Sequence, residues 1–152
     1  MGLDMYLNAI RYVAHHDYSA ETKKEKVIGE QVIDLIGGAP GPLKYLETEA
    51  IYWRKANQIH AWMVRHVQDG ADDCRSYDVT RDDLDQLRQT CRDVLANRAR
   101  AAELLPAQSG FFFGGTDYDD DYFAELERTA EQIEALLDPK WQRWHFTYQS
   151  SW

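Results

Sequence analysis

Cysteine is scarce in this chain, with Cys74 and Cys91 its only two. Two thiols so far apart in sequence exclude a disulfide framework and a cysteine zinc site, and they predict a reduced, cytosolic protein. Long apolar runs are missing as well. No stretch approaches the roughly 20 apolar residues that a membrane helix needs, so no membrane partner is expected. Positive charge is in deficit, with 17 Lys and Arg against 26 Asp and Glu and a formal net charge of -9. That balance repels a phosphate backbone and argues against duplex nucleic acid as a partner. The opening MGLDMYLNAI has no basic start, carries Asp4 inside its short apolar run and has Tyr6 where myristoylation prefers Ser or Thr. Neither a secretory signal nor an acyl anchor is expected.

Catalytic signatures are also lacking. Ser109 precedes Gly110 without the G-x-S-x-G frame, and no H-E-x-x-H, C-x-x-C, Walker A or dinucleotide fingerprint occurs. Asp117, Asp119 and Asp121 imitate the opening of a calcium loop, but Tyr122 stands at its glycine position and Arg128 at its bidentate glutamate position. An acidic run in a first helical turn is explained by the helix dipole without an ion. No metal and no cofactor is expected.

What is present suits a single globular domain over residues 1–152, since 44% of residues are hydrophobic, 28% charged and 12% aromatic. Leu3, Met5 and Leu7 alternate with Asp4, Tyr6 and Asn8, the period of a strand with one covered face. The run SAETKKEK after His15 and His16 reads as an exposed turn. Val27, Ile28, Val32, Ile33, Leu35 and Ile36 fit a strand or a short helix, and Gly29 tips the choice towards strand. GGAPGP, Gly37 to Pro42, punctuates the chain.

The stretch Tyr45 to Gln68, YLETEAIYWRKANQIHAWMVRHVQ, lacks glycine and proline, and its Ala, Glu, Gln, Arg and Met favour one long helix. Tyr52, Ala56, Ile59, Met63 and Val67 then form its core stripe. Trp53, Asn57 and His60 repeat on a neighbouring face with Arg54 and Lys55 beside them. Thr80 with Asp83 predicts an N-cap, followed by Leu84, Leu87, Cys91 and Val94 at helical spacing. Phe123, Leu126, Ala130, Ile133 and Leu137 predict a further helix, and Trp144, Phe146 and Tyr148 a closing strand that pairs with the first. The expected fold is α+β, a small antiparallel sheet packed with about three helices.

Rings that stack, cations that hold phosphate and a loop that offers backbone donors make a candidate ligand site. Its candidate members are Trp53 and Phe112 for stacking, Arg54 and Lys55 for phosphate, Asn57 and His60 for polar readout, Ser109 and Gly110 in the loop, and Tyr148 in the tail. The same side chains are equally suited to packing. The expected function is non-catalytic binding of a small phosphorylated, nucleotide-like ligand. The alternatives are an adaptor or inhibitor that binds another protein, supported by exposed rings, and a nucleotide-processing enzyme with His60 and Glu49 as acid and base.

MGLDMYL, YWRKANQIHAW, LLPAQSGFFFGG with TDYDDDYF, and the terminal YQSSW together resemble a family of small uncharacterised proteins of tailed phages and prophages. The resemblance implies a bacterial host cytoplasm, a counter-defence role such as a sponge for an immune signalling nucleotide, an adaptor acting on a host protein as the rival role, and a homo-oligomer. It brings no catalytic residues with it.

Overall fold

The computed structural model describes residues 2–110 and 113–152. Strands β1 (Asp4–Tyr12), β2 (Tyr45–Arg54), β3 (Tyr77–Val79) and β4 (His145–Ser151) form an antiparallel sheet in the order β2-β1-β4-β3. Helices α1 (Ala20–Leu35), α2 (Asn57–His66), α3 (Arg81–Ala96), α4 (Ala101–Leu104) and α5 (Asp120–Leu136) complete an α+β fold. None of these helices is long and apolar enough to cross a membrane, among the described residues.

The first and last strands pair as the alternation predicts, with Leu7 opposite Tyr148 and Ala9 opposite Phe146. Successive side chains point to opposite faces, so Met5, Leu7, Ile51, Trp53, Phe146 and Tyr148 all face the helices and are buried. Against them pack Ile59, Trp62 and Met63 of α2, Leu84, Leu87, Cys91 and Val94 of α3, and Phe123, Leu126, Ala130 and Ile133 of α5. Each of these large side chains contributes about 1.5–3 kcal/mol by leaving water.

Helix starts follow local chemistry. The Asp83 amide donates to Thr80 Oγ1 at 3.0 Å and the Thr80 amide to Asp83 Oδ2 at 2.9 Å, so aspartate completes a capping box here. The Tyr122 amide donates to Asp119 Oδ1 at 3.0 Å, which gives one member of the acidic run an N-cap role. Arg88 and Arg92 of α3 both reach Glu134 of α5 across the helix pair.

Two segments depart from the sequence expectation. Residues 20–35 are helical rather than a turn followed by a strand, because Ser19 and Thr22 form a capping box that starts α1 well upstream of Val27. Val27, Ile28 and Leu35 are exposed, so the apolar patch is not a core face. What holds α1 is Glu25, whose carboxylate accepts from the Ala14 amide at 3.0 Å and from Arg11 at 2.8 Å, with Arg143 at 2.6 Å. The Ala14 amide is the largest cause that keeps this carboxyl below its ordinary value, with Arg11 and Arg143 adding to it against the opposing effect of burial.

The second departure is larger. Tyr45 to Gln68 is strand, turn and helix, and the break falls at Lys55 and Ala56. Lys55 has φ of 59°, a left-handed conformation that no continuous helix contains. Tyr45, Thr48, Ile51, Tyr52 and Trp53 favour a pleated strand, and register with β1 outweighs the helix preference of Glu and Ala. The supposed stripe is therefore split, with Tyr52 exposed on the sheet and Ile59 and Met63 buried on α2.

Candidate functional site

The turn from β2 into α2 forms one wall of a cleft of about 310 Å³, and the segment running into α5 forms the other. Arg54, Lys55, Asn57 and Gln58 line it from the first wall; Gly114, Asp117, Asp119, Asp121 and Glu125 line it from the second. A volume at the small end of the usual ligand-pocket range suits a compact molecule.

Asn57 builds the cleft without facing a ligand. Its side chain is buried, its Nδ2 donates to the carbonyls of Phe113 at 3.1 Å and Gly115 at 2.8 Å, and its Oδ1 accepts from the Gln108 amide at 2.8 Å. One amide thus clamps both ends of the glycine-bracketed loop onto the start of α2. Gly114 lies where the loop passes closest to the turn. With φ of 92°, it would place an added Cβ 3.0 Å from Lys55 Cβ, so only glycine fits comfortably.

Gln58, the next residue, is the feature that points to a ligand. It is 4% exposed, it lines the cleft, and its side-chain amide has no hydrogen-bond partner among the described residues. No sealed polar atom without a partner falls on Gln58, so its amide carries no stored desolvation cost and offers the cleft a donor group and an acceptor. Arg54 and Lys55 are exposed and have no carboxylate within ion-pair distance among the described residues. The first turn of α2 has no side-chain cap, and although the Asn57 and Ile59 amides donate to the Lys55 and Ala56 carbonyls, the helix dipole adds positive potential beside these cations. The start of α5 is the opposite case, already carrying Asp119 on its amides and further aspartates beside it. The cleft therefore has an anion-accepting wall and a donor-accepting wall.

The other candidate residues fall elsewhere. Trp53 is 1% exposed and its Nε1 donates to Thr129 Oγ1 at 2.8 Å, so its ring braces β2 against α5 and is closed to a ligand. His60 and Tyr148 are fully buried. The hydroxyl of Tyr148 lies 2.8 Å from His60 Nδ1 and Asp72 Oδ2 lies 3.1 Å from His60 Nε2. One assignment satisfies the chain: Tyr148 donates to Nδ1, and Nε2–H donates to Asp72. Burial, the largest cause, raises the Tyr148 phenol well above its ordinary value, which keeps it a donor. This row resembles a proton relay, yet neither His60 nor Tyr148 lines the cleft, and the hydrogen bond between them ties α2 to β4. Glu49, paired with His60 in the enzyme alternative, is exposed on β2 opposite Asn8, whereas His60 hydrogen-bonds to Tyr148 and Asp72. Ser109 and Gly110 are exposed in the loop but do not line the cleft, and Phe112 lies outside the described residues.

Gln58 and the aspartate wall are what the sequence reading missed. The aspartates were visible as a run, but nothing in the spacing places them against Arg54 and Lys55. No group of His, Cys, Asp and Glu among the described residues converges as a metal site. Cys91 is sealed in the core and burial pushes its thiol up to about 12, so it is not a nucleophile at neutral pH. Comparison with known proteins finds no matching family model, no similar curated protein and no similar solved structure.

Proposed function

We propose that this protein is a non-catalytic binder that sequesters a small nucleotide carrying a single phosphodiester charge. The observation that carries the reading is the meeting in one cleft of the Gln58 amide with Arg54 and Lys55 on one wall and Asp117 and Asp121 on the other. The phosphodiester sits against the two cations at the positive end of α2. A base with an exocyclic amine donates to the aspartates, and Gln58 pairs with its edge. The aspartates repel polyanions, so triphosphates are excluded, and the volume disfavours ligands much larger than one nucleotide. The likeness to tailed-phage proteins supports a setting in an infected bacterial cell, where removal of such a signal would blunt a host response.

Titration calorimetry with cyclic adenosine monophosphate tests it. Binding is expected for the cyclic nucleotide and none for ATP, and Gln58→Ala weakens the former about tenfold through the lost amide contacts. Replacing Asp117 and Asp121 with Asn should let ATP in. Equal binding of both nucleotides by the unaltered protein, or no heat with any cyclic mononucleotide, contradicts the reading.

A further inference from the structure

The sheet has a second feature that the cleft does not use. β2 is a ten-residue outer strand, so along its free side a row of backbone donors and acceptors has no strand partner among the described residues. The opposite outer strand, β3, has three residues and offers no comparable length. Natural edges are blunted by lysine or proline, but Tyr45 to Trp53 contains neither; its one irregularity is the bulge opposite Leu7 and Asn8.

The face beside this edge is aromatic and acidic. Tyr45 pairs with Tyr12 at 5.7 Å between ring centroids, and Tyr52 with Tyr6 at 5.5 Å. Glu47 and Glu49 lie on the same face between these pairs, opposite Ile10 and Asn8, and both are exposed. Neither has an ion-pair partner among the described residues. Tyr45 is 57% and Tyr52 43% exposed, large rings of the kind that anchor protein contacts.

We infer that the β2 edge and this face dock an extended, lysine- or arginine-bearing segment of a partner protein, added as a fifth strand beyond β2. Backbone pairing gives the added strand its register, the tyrosines cover its apolar side chains, and Glu47 and Glu49 meet its cations. Charge selects this occupant over a second copy. Antiparallel pairing of β2 with itself would set glutamates of one copy against glutamates of the other, in a molecule that already carries -9. The inference does not rest on the cleft, which adjoins the Arg54 end of β2.

The test uses the full chain and a short labelled peptide of alternating lysine and valine, with an alternating glutamate and valine peptide as its opposite. Fluorescence anisotropy should show binding of the basic peptide alone, and hydrogen exchange should slow at the amides of Tyr45–Arg54. Glu47→Gln with Glu49→Gln should weaken binding about tenfold, while Glu127→Gln with Glu131→Gln on α5, which removes the same charge, should change it less than about twofold. Equal weakening by both pairs would reduce the effect to net charge and overturn the proposal. So would unchanged exchange along β2 with peptide bound, or sedimentation showing a dimer whose β2 amides are protected without peptide.

Discussion

Asn57 carries more of the site's architecture than any other single side chain. Replacing it with Ala strands the Gln108 amide and two loop carbonyls, at an expected cost of about 2–4 kcal/mol. Thermal unfolding should show the loss, and limited proteolysis should cut first between Leu105 and Tyr118 if the clamp is what holds the loop. Lys55 predicts the opposite sign. Its left-handed φ of 59° costs about 1 kcal/mol for a residue with a Cβ. Lys55→Gly should therefore raise stability by about 0.5–1 kcal/mol while weakening nucleotide binding, since the strained residue is also a cation of the cleft. At this scale the sequence was a partial guide. It singled out Arg54, Lys55 and Asn57, but it could not separate the residues that build the site from those that face it. Trp53, His60 and Tyr148 carry the chemistry of ligand contacts, and each has instead found a protein partner, Thr129, Asp72 and one another. Partner choice across 76 or 88 positions leaves no local trace in the chain.

Among the elements, α1 is held differently from the rest. α3 and α5 are held by continuous apolar faces, and their spacing made them legible in advance. α1 instead hangs on Glu25, and its exposed Val27, Ile28 and Leu35 explain why an apolar count misread it. Because the folded Glu25 carboxyl is held below its ordinary value of 4.5, its contribution is complete above that pH and is lost as the pH falls through the lower folded value. Hydrogen exchange should therefore show α1 amides losing protection below 4.5 while α5 stays protected. Glu25→Gln should free α1 at neutral pH. Simultaneous loss across α1 and α5 would show that α1 is held by something else. The β2 to α2 segment was misread for a related reason: helix propensity is a local quantity, whereas pairing with β1 is set by a strand more than thirty positions away.

For the whole molecule, pairing of the two ends into one sheet was legible because alternation survives at both termini, and it makes β1 and β4 the spine of the fold. Cys91 reports on that core. Alkylation of the native protein should modify the partly exposed Cys74 and spare Cys91 until unfolding, since burial both shields the thiol and suppresses its thiolate. The cleft lies at the margin of this core, where β2 turns into α2 and the loop before α5 closes over it. Its meaning rests on whether the Gln58 amide pairs with a ligand. Nuclear magnetic resonance of the side-chain amide of Gln58 during titration with cyclic adenosine monophosphate tests that directly. A saturable shift of its NH₂ signals, together with the backbone amides of Gly114 and Gly115, is the predicted result. Unmoved Gln58 signals at saturating nucleotide, or shifts confined to the tyrosine face of the sheet, would contradict it.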